Sequence, residues 1–207
     1  MSSKKHSRYW RERIADWNTA YFATKDHPHR QMMIDKLKRI SFQSLLEVGC
    51  NAGPMLYRIA QEFPKVETGG VDINAGSIEM ARNLLPKQVL VLSVGEADDL
   101  PFSDKSTDVV ITDATLIYMG HDKIDKVISE IKRVARNHVI FFEAHSESRW
   151  DRWQRRRSQK NYYMYDYEKL LDKHGFWDIE VEKASPSYWP EGGRLWPKYG
   201  YLISARI

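Results

Sequence analysis

Ser44-Leu45-Leu46-Glu47-Val48-Gly49-Cys50-Asn51-Ala52-Gly53-Pro54-Met55 is the stretch whose reading decides the fold. Residues 44–48 form a short apolar run of strand length. Two glycines then mark a tight turn, and Pro54, followed by Met55, Ile59 and Phe63 at four-residue spacing, opens a helix. Strand, glycine turn and helix make the first half of a βαβ unit. Gly49 and Gly53 let the backbone bend sharply and approach a ligand with no side chain between, and the helix amides that follow would face that ligand. Taken alone, the same turn is also what a plain strand-to-helix connection looks like.

Downstream the pattern repeats. Thr68 to Ile73 reads as a strand, Asn74 can cap a helix carrying Ile78, Ala81 and Leu85, and Val89 to Val94 is the next strand. Asp108 to Thr112 is a fourth strand. Ile124, Val127, Ile128, Ile131 and Val134 mark one face of a helix, and His138 to Glu143 is a fifth strand. The chain then departs from alternation. A basic, aromatic segment runs from Arg149 to Tyr167, a short helix ends at Gly175, and Trp177 to Lys183 and Tyr199 to Ile207 suggest an antiparallel hairpin. Ser185 to Pro197, with three prolines and two glycines, reads as the longest structureless connection. Upstream, His27-Pro28 opens a helical pattern through Met33, Leu37 and Ile40. Alternation of strand and helix demands a mostly parallel sheet covered on both faces. The expected fold is therefore α/β and doubly wound, with seven strands and an antiparallel C-terminal hairpin. Residues 1–40 are expected to form a helical lid and 41–207 one domain, with an insertion at about 146–167.

Bulk properties bound the function. At 207 residues, 42% of them hydrophobic and 12% aromatic, the chain can bury one sizeable core. Met1 to Arg13 is polar and basic, which does not fit a signal peptide. Apolar runs such as Val89 to Leu92 and Val139 to Phe142 fall far short of the roughly 20 residues of a membrane-spanning helix, so no membrane association is expected. A lone cysteine, Cys50, excludes an internal disulfide and a cysteine-rich zinc site, and makes the cytoplasm the default location. No metal is expected. A net charge of +4 is mild beside that of a dedicated nucleic-acid binder. Nothing in the composition specifies an oligomeric state.

In open parallel sheets ligands bind beyond the carboxyl ends of the strands. After the first strand stands the glycine turn. Asp72 ends the second strand, nineteen residues after Gly53, where a carboxylate can accept hydrogen bonds from both hydroxyls of a ribose or simply cap a helix. Gly95-Glu96-Ala97-Asp98-Asp99-Leu100-Pro101-Phe102 follows the third strand, and Thr112-Asp113 closes the fourth.

This set resembles the class I S-adenosylmethionine-dependent methyltransferases, specifically the methyltransferase type 11-like group. Their motifs read roughly Glu-x-Gly-x-Gly-x-Gly, Gly-x-Asp, Gly-Asp-Ala-x-x-Leu-Pro-Phe and Phe-Asp-x-Val. The resemblance covers about residues 41–143 and implies a Rossmann-like sheet, S-adenosylmethionine as cofactor and S-adenosylhomocysteine as product. It implies Glu47, Gly49 and Gly53 around the methionine end, Asp72 on the ribose, Ile73 against the adenine, and Glu96 and Ala97 at the adenine edge, with Asn51 a further cofactor-binding candidate. Asp113 is a further candidate at the methionine end, and Arg30 is a candidate partner for the cofactor carboxylate. Three residues depart from the pattern: Asn51 where glycine is commoner, Glu96 for aspartate, and Thr107 for the phenylalanine before Asp108. A nicotinamide dehydrogenase normally lacks an acidic residue two places before the first glycine, where Glu47 stands.

Methyl transfer from a sulfonium is an in-line displacement with an already activated donor, so alignment and water exclusion matter most. A base is useful only when the nucleophile carries a proton. The catalytic candidates are His121, His145 and Tyr118, with Asp113 and Glu143 in the same two loops. Arg149-Trp150-Asp151-Arg152-Trp153-Gln154-Arg155-Arg156-Arg157 would suit an anionic or aromatic acceptor, or would be a solvated helix with its tryptophans packed inward. Tyr162, Tyr163, Tyr165, Tyr167, Tyr188, Trp189 and Trp196 add aromatic surface. Trp10, Trp17, Tyr21 and Phe22 lie in the expected lid.

The leading expectation is a small-molecule O-, N- or S-methyltransferase. A nucleic-acid methyltransferase using Arg149 to Lys160 is the alternative, although Thr112-Asp113-Ala114-Thr115 stands where an Asn-Pro-Pro-Tyr-like motif would be. A non-catalytic S-adenosylmethionine-binding protein comes third.

Overall fold

A computed structural model describes residues 3–12, 15–87, 89–158, 162–189 and 195–207. Lys160, the side chain of Trp17 and residues 190–194 of the long late loop lie outside the described residues. In chain order the elements are α1 (Ser3–Arg11), α2 (Ala15–Phe22), α3 (His29–Leu37), β1 (Ser44–Val48), α4 (Pro54–Glu62), β2 (Glu67–Asp72), α5 (Ala75–Leu84) and β3 (Val89–Val94). They continue with β4 (Thr107–Asp113), α6 (Ile124–Val134), β5 (Ala135–Ala144), α7 (Arg149–Ser158), α8 (Tyr167–Lys173), β6 (Trp177–Lys183), α9 (Trp196–Tyr199) and β7 (Gly200–Arg206). No helix among the described residues is long and apolar enough to cross a membrane.

The seven strands form one sheet in the order β3-β2-β1-β4-β5-β7-β6. The first five are parallel, and β7 enters antiparallel between β5 and β6. Every residue of β4 is buried, as expected of a strand covered on both faces. The two-residue period of β5 shows those faces. Val139 and Phe141 pack with the α6 stripe of Ile124, Val127, Ile128 and Ile131. Ile140 and Phe142 pack with Met33 and Leu37 of α3 and Met55 and Ile59 of α4. Burying each of these side chains contributes about 1.5–3 kcal/mol. Asp108 ties the leading edge of this arrangement together, its Oδ2 accepting from the amides of Gln43 at 2.8 Å and Ser44 at 3.1 Å while Arg136 pairs with Oδ1.

Helix boundaries follow local chemistry. Pro54 begins α4, and Asn74 caps α5 by accepting from the Ser77 amide at 2.9 Å. Two details differ from the sequence reading. Tyr199 ends α9 rather than starting the last strand. The connection from Ser185 is also not structureless throughout, since Pro186–Tyr188 form a 3-10 turn beneath the Ser185 hydroxyl.

In helix α7 the tryptophans face outward, against the alternative of tryptophans packed inward. Trp150 is 64% exposed and Trp153 46%. The residues half-buried against the protein are Asp151, Arg152 and Arg155. Arg152 Nη1 donates to the Ser146 carbonyl at 2.5 Å, and the Arg155 guanidinium lies 5.8 Å from the centre of the Tyr162 ring.

Candidate active site

The turn after β1 takes three left-handed residues: Gly49 at φ +77°, Asn51 at +50° and Gly53 at +81°. Asparagine is among the few other residues that adopt this region readily, which accounts for Asn51 where glycine is commoner. Its Oδ1 accepts from the Ala52 amide at 2.6 Å and its Nδ2 donates to Asn18 of α2 at 3.3 Å. Gly49 is required by packing as well as by φ. A Cβ there would press into the side chain of Thr115, whose own Cβ would stand 2.8 Å away. Gly49→Ala is expected to cost about 2–3 kcal/mol, from left-handed strain plus overpacking. Urea unfolding measures it, and an unchanged midpoint would remove the packing argument.

Asp72 lies across the turn. Its Oδ2 accepts from the Asn51 amide and its Oδ1 from the Asn74 amide, both at 2.8 Å. Burial raises its pKa above the ordinary value, and the amides of Asn74 and Asn51 pull against that rise.

These groups border one cleft. Gly49, Asn51, Asp72, Ile73, Glu96, Ala97, Asp113 and Tyr118 line it. Gly53 shapes the turn without lining the cleft, and a Cβ there would come within 2.6 Å of Leu85 Cδ1. Glu47 and Arg30 stand behind Asp113. Asp113 Oδ1 pairs with His29 Nε2 at 2.9 Å and its Oδ2 with Arg30 Nε at 3.0 Å. Burial works against the Asp113 charge, but His29 and Arg30 outweigh it and hold the carboxyl well below the usual range. Glu47 goes the other way. Burial and then Asp113 raise its pKa well above the ordinary value, and its Oε2 has no hydrogen-bond partner. Asp113 therefore carries the negative charge and Glu47 the proton.

The N-terminal helices supply a wall of the cleft. Trp10, Asn18 and Tyr21 line it. The Trp10 ring lies 4.5 Å from that of Tyr118, and its carbonyl accepts from Asn74 Nδ2 at 2.8 Å. Arg11 pairs with Glu96 at 2.6 Å, and Lys123 pairs with Glu96 at 2.8 Å and Asp98 at 3.0 Å. Interleaved aromatics and charges at residues 9–22 were the signal for this wall. No motif pointed to Lys123.

His121 and His145 are not among the lining residues. His121 is exposed, with the rings of Tyr163 and Tyr165 each 5.4 Å away. His145 is 3% exposed, and its Nδ1 accepts from the Tyr167 amide at 3.2 Å. Glu143 is fully buried and positions the Tyr118 turn. Its Oε1 accepts from Thr112 Oγ1, Thr115 N and Leu116 N at 2.8–2.9 Å, and its Oε2 from Ile117 N at 3.1 Å. Burial raises its pKa from an ordinary 4.5 to about 7 despite those bonds. A carboxyl so raised stabilises the fold fully below pH 4.5 and loses that contribution as pH rises through about 7. The melting-temperature advantage of wild type over Glu143→Gln should accordingly narrow across that window; a constant difference would show that Glu143 does not titrate there.

The sheet order and the glycine turn after β1 are those of the Rossmann-like class I S-adenosylmethionine-dependent methyltransferase architecture. Residues 45–138, a little under half of the chain, match the family described as a methyltransferase domain. The fatty-acid O-methyltransferase of Mycolicibacterium smegmatis is 31% identical over 114 residues, covering 54% of this chain and 40% of that protein. The chain spans well under two thirds of the curated relatives it matches. Among solved structures, phosphoethanolamine N-methyltransferase 2 of Haemonchus contortus with bound S-adenosylmethionine is 25% identical, at a TM-score of 0.61 over 76% of this chain and 39% of that one. The geranyl diphosphate C-methyltransferase of Streptomyces coelicolor A3(2) shares the fold across 99% of this chain and 97% of that one, at a TM-score of 0.71 and 14% identity.

Proposed function

We propose that the chain transfers the methyl group of S-adenosylmethionine to a small acceptor with an apolar or aromatic body. Asp72 carries this reading. Its carboxylate is fixed by two backbone amides at the rim of the cleft and keeps lone pairs for a ribose diol. The lining also suits a sulfonium, with four carboxylates (Asp72, Glu96, Asp98 and Asp113) against one ammonium, Lys123.

The acceptor side is inferred from what remains of the lining. Trp10, Tyr21, Ala114, Tyr118 and Met119 present rings and apolar surface. Lys123 is already paired with two acids, so among the described lining residues no unpaired cation awaits an anionic acceptor. The bound cofactor supplies an activated methyl group, and the protein aligns the acceptor and excludes water. Trp10, its ring tilted at 60° to that of Tyr118, walls one side of the cleft. Tyr21 stays protonated, since burial and then the nearby Asp113 charge raise its pKa, so its hydroxyl can orient the acceptor heteroatom. Burial likewise keeps the Tyr118 hydroxyl protonated, and Asp113 is held by two partners. With Asp72 assigned to the ribose and no other free base among the described lining residues, the reading favours a nucleophile that already has an available lone pair at working pH. His121 and His145 take no part in this step.

The name of the Mycolicibacterium smegmatis relative, a fatty-acid O-methyltransferase, supports a small-molecule acceptor. Labelled methyl donor with parallel pools of small lipophilic acids, aromatic amines and phenols, and RNA tests the reading. Label in a small-molecule pool is expected. Transfer to RNA alone would overturn it. Tyr21→Phe should reduce turnover about tenfold while leaving cofactor affinity unchanged; loss of affinity instead would place Tyr21 on the cofactor.

A further inference from the structure

We propose that α7 docks this protein on an anionic lipid surface. The helix is inside-out. Trp150, Trp153 and Arg157, at spacings of three and four, share one outward stripe, while Arg152 and Arg155 turn toward the protein. Ordinary amphipathic helices bury their rings and expose their arginines. Here 64% of Trp150 and 46% of Trp153 face solvent.

The chemistry around the two indoles selects the partner. Arg149, Arg156 and Arg157 are exposed. Among the described residues none of the three is ion-paired with a carboxylate, although acidic side chains pair with many of the protein's other bases. An anionic surface is thus the complement of this stripe. The rings lie 4.8 Å apart at 28°, and the Arg157 guanidinium is 4.8 Å from the Trp153 ring centre. Each indole therefore has one face covered, and Trp153 also meets Arg157, which leaves less for a nucleic-acid base, since a base needs a free face to stack upon. A headgroup layer needs only an amphipathic ring body and flanking cations. Area points the same way. The exposed parts of two indoles amount to on the order of 200–300 Å2, well below the ~800 Å2 per partner of a stable protein interface. A bilayer requires no matching shape, and each arginine near an anionic leaflet strengthens binding about fivefold.

The stripe is also well placed. Arg155 lies over Tyr162, Tyr162 lies 5.5 Å from Tyr118, and Tyr118 lines the cleft. A surface-bound molecule would hold the cleft two rings from the headgroup layer, where an apolar acceptor would be encountered.

Flotation of the full chain with vesicles of phosphatidylcholine, alone or mixed with phosphatidylglycerol, tests this. Binding is expected to the mixed vesicles, to weaken with salt, and to fall at least tenfold in Trp150→Ala/Trp153→Ala. Arg149→Gln/Arg156→Gln/Arg157→Gln should abolish the preference for the anionic lipid. Melting temperature and S-adenosylmethionine affinity should match wild type in both variants, so that loss of docking is not loss of folding. Absence of flotation, flotation insensitive to both variants, or retention on single-stranded RNA in place of vesicles would overturn the inference. Cofactor titration of the same samples keeps it distinct from the proposed methyl transfer: vesicle binding without cofactor affinity would remove only the latter.

Discussion

Arg30→Met should lower the stability of this protein by about 3–5 kcal/mol, the usual cost of stranding a buried charge. Arg30 is 1% exposed and Asp113 3%. The guanidinium meets Asp113 Oδ2 through Nε and the Thr24 carbonyl through Nη1. Methionine fills much of the volume but leaves the Asp113 charge facing His29 alone. For a chain of this size each kcal/mol shifts the melting temperature by about 2–4 °C, so a fall of roughly 10 °C is expected. The deficit should have a pH signature. Burial lowers the pKa of His29, and once Arg30 is gone a protonated His29 is the remaining cation for Asp113. The variant should therefore recover part of its stability below neutral pH. Melting followed by circular dichroism between about pH 5 and 7, extending below the ordinary histidine value of ~6.5, measures both effects. A melting temperature equal to wild type would mean that the link from α3 to β4 does not depend on this pair.

Asp72→Asn should weaken S-adenosylmethionine binding about 100-fold. A hydrogen bond to a charged acceptor contributes about 1.5–3 kcal/mol, and the carboxylate is assigned two from the ribose, so losing the charge costs roughly two orders of magnitude. Asparagine suits this test better than alanine. One oxygen remains for the Asn51 or Asn74 amide, whereas alanine would leave both amides unsatisfied and disturb the turn. Calorimetric titration beside a melting curve separates the two effects. Undiminished affinity would place the ribose elsewhere and withdraw the site assignment.

The sheet was legible because its strands are short apolar runs between helices with clear apolar stripes. The rim of the cleft was legible because Gly49, Asn51 and Asp72 each stand at or just after the end of a strand, where a parallel sheet places its ligands. What escaped were contacts made across long sequence distances. Nothing near Glu143 indicates that it holds the amides of Thr115, Leu116 and Ile117. Lys123 meets Glu96 only once α6 packs on the sheet. His121 and His145 were attractive for their ordinary pKa near neutrality, a property of the isolated side chain that says nothing of where the fold puts it. Helix α7 stayed open for a related reason. Two tryptophans at a spacing of three fit an inward or an outward face equally well, and only the placement of Arg152 and Arg155 decides between them.

The antiparallel insertion of β7 has a consequence for how the molecule is made. This strand pairs His138 with Arg206 on one side and Lys183 with Tyr201 on the other, yet it is synthesised after both of its neighbours. While residues 200–206 are still within the ribosome, β5 presents an open edge and β6 has no ladder to join, so the nascent chain is exposed to mispairing until the last strand slides into the gap. These pairings across distant parts of the chain also raise its contact order, which slows folding. The right-hand half of the sheet should accordingly be the last to gain protection from hydrogen exchange during refolding.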